Sequence, residues 1–275
     1  MLKQRLLTVA VILPPFLLAL FSAPPWLWAL LIGAVALQAA YEWSRLTQMN
    51  HVASALFMAT LLALIGWIFT VDKAAPGSFM ASEQGNILYG AAALFWVVCV
   101  PMWLWRGWRL RSPWLAGLSG VLLLVPLWHA LFVLQPTPWK LIGLMSIVWM
   151  ADTAAYTFGR LFGRRKLAPT ISPAKTWEGA TGAALMVLLY VYGLTTVFPG
   201  AFAALVPMLG ISAMMLLLSI EGDLLESWVK RVAGVKDSGT LLPGHGGILD
   251  RIDALTGALP LGLFALVWTL GHARG

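Results

Sequence analysis

Runs of about twenty apolar residues recur along the whole chain, each closed by a turn or a short polar stretch. They cover roughly 6–22, 24–41, 52–71, 87–105, 114–134, 139–158, 178–197, 201–220 and 254–270. A helix needs about 20 apolar residues to cross the hydrocarbon core of a bilayer. In lipid a backbone is satisfied only within a helix or a closed barrel. The expectation is therefore an all-α, polytopic integral membrane protein with about nine transmembrane helices. Composition agrees, because 11% of the residues are charged where a soluble domain carries about 25%.

Details of the spans follow from the same rules. Pro14-Pro15 should kink or split the first run. No small-residue cleavage site follows that run, so it reads as a retained helix and not as a removed leader. Nine spans place the termini on opposite sides. With the N-terminus inside, the cytoplasmic segments hold 15 of the 18 Lys and Arg residues and the outer segments hold Lys73, Lys140 and Arg274. The positive-inside rule then sets the N-terminus in the cytoplasm and the C-terminus outside. It also accounts for the net charge of +7 without any nucleic acid. Trp26, Trp28, Trp43, Trp114, Trp139 and Trp177 lie near span ends and read as an interfacial belt. Cys99 is the single cysteine, which excludes an internal disulfide and reads as packing. His129, inside an apolar run, reads as a hydrogen-bonded core histidine.

One segment breaks the apolar pattern. Residues 221–253 hold six of the eleven acidic residues: Glu221, Asp223, Glu226, Asp237, Asp250 and Asp253. They also hold Lys230, Arg231, Lys236, His245 and Arg251. Asp223, Glu226, Ser227 and Lys230 are spaced to share one helix face, and Gly234 is placed to end that helix. Pro243-Gly244-His245-Gly246-Gly247 can bend closely and aim amides at an anion. A new helix starting near Ile248 would add its N-terminus to that site. Carboxylates suit Mg²⁺, and bases and amides suit phosphate. Together they indicate a nucleotide–metal site for phosphoryl-type transfer. Any one of these residues alone reads as a solvated loop charge.

Two further stretches support the first. Asp152 lies about 20 Å along its span at 1.5 Å per residue, and an acid at that depth faces a cavity or a partner. In the basic stretch 159–176, Ser172 with Pro173 reads as a helix N-cap and first helical residue. Lys175 and that helix start could hold a phosphate. Arg160, Arg164, Arg165 and Lys166 serve either topology or anionic headgroups. Glu221 falls off the polar face.

The pattern Ser227-x-Val229-Lys230-Arg231, Lys236-Asp237-x-Gly239 and Pro243-x-His245-Gly246-Gly247-x-x-Asp250-Arg251-x-Asp253 resembles the signature of the phosphatidate cytidylyltransferases (CDP-diacylglycerol synthases). The segments around Asp152 and from Lys166 to Gly179 also resemble that family, which carries glycine where this chain has Ala155. The detailed resemblance spans about 150–253; the earlier helices match in hydropathy only. It implies one membrane-embedded domain over 1–275, with N-terminal helices to 135 and catalytic helices and loops over 139–275.

The reaction implied is transfer of CMP from CTP to phosphatidic acid, releasing pyrophosphate, at a site facing the cytoplasm of a bacterial inner membrane. The resemblance implies Mg²⁺ on Asp223 and Asp250, with room for a second cation. It implies catalytic roles for Lys230, Lys236, Asp237 and Arg251 as well. Substrate contacts would come from Asp152, Ser172, Lys175, Ser227, Arg231, His245, Gly246, Gly247 and Asp253, the Gly246-Gly247 amides facing phosphate. A homodimer is expected. The alternatives are a CTP-dependent lipid-alcohol kinase of the polyprenol type and an ion-coupled transporter. No internal repeat favours the transporter.

Overall fold

The computed structural model describes residues 2–73, 75, 77–200, 202–241 and 246–272, with the side chains of 2–9, 12, 271 and 272 outside the described set. The chain is helical nearly throughout. It runs α1 (Leu2–Ser22), α2 (Pro25–Leu46), α3 (His51–Asp72), the single turn α4 (Ser78–Ala81), α5 (Glu83–Leu94), a π-helical turn (Phe95–Cys99), α6 (Val100–Arg106), α7 (Pro113–Leu134) and α8 (Pro138–Phe162). A short hairpin of β1 (Lys166–Ala168) and β2 (Ser172–Thr176) follows, then α9 (Trp177–Val197), α10 (Leu205–Ala233) and α11 (Leu249–His272).

Among the described residues eight helices are long and apolar enough to span a bilayer, counting Glu83–Arg106 as one. The first run is not in that set, since its described apolar part is Leu13–Ser22. Pro14 and Pro15 do not split it: α1 is continuous through both. Each proline removes one amide donor, and the remaining hydrogen bonds have no water to be exchanged for in an apolar setting.

α7 is the central helix, packed against α2, α3 and α11, while α8 pairs with α9 and α10 with α11. The last two pairs approach closely through small residues, as membrane helices do. A methyl on Gly182 would overlap Phe158, and one on Gly222 would overlap the backbone carbonyl of Asp253. The outer surface is apolar: Leu30, Trp105 and Val206 are exposed, as expected of a lipid-facing wall.

The tryptophans divide. Trp26, Trp114, Trp139 and Trp177 are exposed near helix ends, where a belt would sit. Trp28 and Trp43 are instead 1% exposed and belong to the core. Their indole N–H groups donate to the Leu131 carbonyl at 3.0 Å and the Ala116 carbonyl at 2.8 Å, tying α2 to α7. A buried indole finds an acceptor, and α7 supplies one at each depth.

Successive helices alternate in direction, so loops 47–50, 107–112 and 163–176 and the described loop residues 234–241 and 246–248 gather at one end of the bundle. Their contacts bear this out. Trp228 Nε1 donates to the Trp108 carbonyl at 2.8 Å, and Arg231 Nε to the Ile171 carbonyl at 3.4 Å. Toward the other end sits a fully buried cluster. His129 lies 2.7 Å from Asp72 Oδ2 and 2.8 Å from the Tyr89 hydroxyl. Asp72 also accepts from Ser78 Oγ and the Phe79 amide. His129 is thus the core histidine its apolar setting indicates, with an acid as partner.

Candidate active site

The basic segment folds differently from the expected helix start. Ser172 is no N-cap: Ser172–Thr176 is a strand, paired antiparallel with Lys166–Ala168 in the register Lys166↔Thr176 and Ala168↔Ser172. Proline is tolerated in such an edge strand. The helix begins five residues later. Thr176 caps α9 by accepting the Gly179 amide, and Glu178 accepts the amides of Arg164 and Arg165. The threonine, with extended backbone at the junction, outcompetes the serine because the paired strand consumes the residues after Ser172. The hairpin delivers Lys175 to the site.

Asp223, on α10, is the centre of the first half of that site. Its Oδ2 takes Lys175 Nζ at 2.7 Å and its Oδ1 accepts from Ser227 Oγ at 3.2 Å. Asp152, on α8, is accessible to solvent and interacts electrostatically with both Asp223 and Lys175. The second half is built on Lys230, one helical turn from Glu226. Its ammonium binds Glu226 Oε2 at 2.7 Å and Asp250 Oδ1 at 2.5 Å. Asp253, one turn along α11 from Asp250, is close enough to interact with Asp223 and Glu226 and so joins the halves. The helical spacing read from the sequence therefore produces a real shared face: Asp223, Glu226, Ser227 and Lys230 all point into it.

Five carboxyl groups, Asp152, Asp223, Glu226, Asp250 and Asp253, surround two ammonium groups, Lys175 and Lys230. Glu226 Oε1 is buried without a hydrogen-bond partner. A buried acid in that condition calls for a cation or a proton. Among the described residues no three His, Cys, Asp or Glu groups converge tightly enough to hold a metal by themselves. Of the two acids expected to bind Mg²⁺, Asp223 is the more open, its side chain 36% exposed against 7% for Asp250.

Asp250 is heavily engaged. Its Oδ2 accepts from Ser238 N at 2.8 Å, Ser238 Oγ at 2.9 Å and Gly247 N at 2.8 Å. The Gly247 amide, expected to face a phosphate, is here bonded inside the protein, to the Asp250 carboxylate three residues on at the α11 start. Gly246 has a φ of 81°, where a side chain is strained, and a Cβ there would crowd the Asp250 carboxylate. Gly234 ends α10 at a φ of 73°, as read from the sequence.

Other expected site residues lie toward the surface. Arg231, Lys236, Asp237 and Arg251 are exposed. Asp237 lines a cavity of about 470 Å³ with Gln38, Glu42, Arg45 and Ser238. Ser172 lies half-buried in its strand. His245, with Leu242, Pro243 and Gly244, lies outside the described residues.

One residue escaped the reading of the sequence. Glu42, at the end of α2, is 2% exposed and contacts the signature loop directly. It accepts from Ser238 Oγ at 2.9 Å, from the Ile248 amide at 3.0 Å and from the Leu249 amide at 2.8 Å. The available signal was its isolation: it is the first acid in the chain, with no other before Asp72, and a lone acid in an apolar span is a functional hypothesis by default.

Fold and site together define a polytopic membrane protein whose carboxylate and ammonium groups are concentrated at one end of its bundle, the equipment of an enzyme that handles phosphate. Comparison with known proteins makes the class specific. Residues 3–269 match the family described as the Cytidylyltransferase family. A phosphatidate cytidylyltransferase of Pseudomonas aeruginosa is 40% identical, covering 98% of each chain. One of Haemophilus influenzae is 32% identical over 94% of this chain and 96% of its own. One of Staphylococcus saprophyticus is 50% identical, but over 42% of this chain and 44% of its own. The chain belongs to the cytidylyltransferase family, as its signature resemblance indicated, and is a nucleotidyltransferase.

Proposed function

We propose that the protein transfers CMP from CTP to phosphatidic acid, giving CDP-diacylglycerol and pyrophosphate, in a bacterial inner membrane. The observation that carries the reading is the Asp152–Lys175–Asp223 and Glu226–Lys230–Asp250 arrangement at one end of a membrane bundle, in a chain that shares nearly its full length with relatives of that name. In the topology set by the Lys and Arg distribution, with α1 as a ninth span, that end faces the cytoplasm, where nucleotides are held.

An oxygen of the lipid phosphate attacks the α-phosphorus of CTP. The bond from that phosphorus to the bridging oxygen of the β-phosphate breaks, and pyrophosphate leaves with the electron pair. The nucleophile is already anionic near neutral pH, so the site needs positioning and charge neutralisation, with no strong base. Lys175 and Lys230 are placed to neutralise phosphate oxygens. Asp223 and Asp250 are the residues to hold Mg²⁺, and Asp152 and Asp253 stand beside them. Bound there, the ion screens repulsion between two anionic reactants. Arg231, Lys236 and Arg251 at the rim attract the triphosphate electrostatically.

The test is label transfer. The purified protein in detergent receives phosphatidic acid, Mg²⁺ and CTP labelled at the α or the γ phosphate. Label entering lipid from the α position supports the reading. Label from the γ position points to a lipid kinase, and transfer from neither overturns both. The mass of the purified particle tests the expected homodimer.

A further inference from the structure

We infer that Glu42, in the N-terminal helices, is a positioning residue for the reaction, acting on Asp250 through Ser238. The inference rests on the proposed cytidylyl transfer. Its starting point is that both oxygens of the Glu42 carboxylate accept hydrogen bonds from the protein. Oε1 accepts from Gln38 Nε2 at 3.0 Å and from the Ile248 amide at 3.0 Å. Oε2 accepts from the Leu249 amide at 2.8 Å and from Ser238 Oγ at 2.9 Å.

No Lys, Arg or His lies within ion-pair distance of Glu42 among the described residues. A carboxylate buried this deeply without a cation persists only where fixed dipoles replace water. Here the dipoles are two backbone amides at the start of α11. The arrangement fixes where α11 begins, and Asp250 follows Leu249 directly.

Ser238 is the link. Its Oγ lies 2.9 Å from both Glu42 Oε2 and Asp250 Oδ2, so its single proton bridges the two carboxylates, while its amide donates to Asp250 Oδ2 at 2.8 Å. From Gln38 to Glu226 the contacts form one chain: Gln38, Glu42, Ser238, Asp250, Lys230, Glu226. The glycines of the loop suit this contact. A Cβ on Gly239 would stand 2.8 Å from Glu42 Oε1, and one on Gly247 would overlap both Ser238 Oγ and Glu42 Oε2. The loop is thus shaped around a carboxylate supplied from 196 residues away. Glu42 touches no reacting group itself.

The test is kinetic, on the full-length protein in detergent, with α-labelled CTP and phosphatidic acid. Glu42→Gln replaces one oxygen with an NH₂ that faces donors. It should lower kcat by about 10- to 100-fold while KM for CTP changes less than about threefold. Kinetics are normalised to folded, monodisperse protein, so a loss of folded protein alone would leave kcat unmoved. Ser238→Ala should reproduce the kcat loss, and the double variant should lose no more than the worse single one, because both act through one link. If the Glu42 variant does not fold, Ser238→Ala with Gln38→Ala carries the same test. Unchanged kcat in Glu42→Gln, or multiplying losses in the double variant, overturns the inference while the active unmodified protein keeps the function reading intact. An unmodified protein that transfers no α label removes the function reading, and this inference with it.

Discussion

Lys175 Nζ stands 2.7 Å from Asp223 Oδ2, so a five-residue strand and a 29-residue helix meet at one ion pair. Both partners are part-exposed, and the pair can open without unfolding anything around it. A phosphate entering the site would compete with Asp223 for the lysine. Lys175→Met removes that exchange. Transfer should fall by about 10²-fold, the cost of losing one donor to transition-state charge, measured as kcat/KM for CTP.

Asp223→Asn keeps the shape of the side chain and its contact with Ser227 but removes the charge. Transfer should drop by about 10³-fold or more, with the protein still monodisperse in detergent. Asp250→Asn should be equally inactive. Full activity in both variants would remove these acids from the site.

Chelation supplies an independent check. EDTA should abolish label transfer and added Mg²⁺ should restore it, since two anionic reactants otherwise repel one another. In Asp253→Asn, next to Asp223 and Glu226, the Mg²⁺ concentration for half-maximal activity should rise about tenfold.

Gly247→Ala adds a methyl that collides with Ser238 Oγ and the Glu42 carboxylate. The loop must move, at a cost of about 1–3 kcal/mol of stability, and activity should fall with it. Gly210→Ala, in the same helix as Asp223 but with open space around it, should change neither.

His129→Ala separates structure from chemistry. It strands Asp72, which is fully buried, at a cost of about 3–5 kcal/mol for breaking a buried pair. Thermal unfolding should shift down markedly, while kcat per folded molecule stays unchanged.

Much of this molecule is readable in order along the chain. Apolar run length marks the spans, and the spacing of Asp223, Glu226, Ser227 and Lys230 puts them on one face wherever the helix lies. Gly234 ends its helix because only its own backbone conformation is at stake. These are local properties, set by hydropathy and by 3.6-residue geometry.

Other features depend on a surface that is far away in sequence. Ser172 and Thr176 are both plausible caps until β1 pairs with β2 and claims the intervening residues. Trp28 and Trp43 look like Trp26 until α7 offers carbonyls to their indoles. Glu42 reads as a stray acid in an apolar helix until the start of α11 arrives to meet it. Covalent order and burial tendency are written residue by residue, but the identity of a hydrogen-bond partner is a property of the packed chain. Desolvated polar groups accept whatever partner folding delivers, and only coordinates in three dimensions say which one that is.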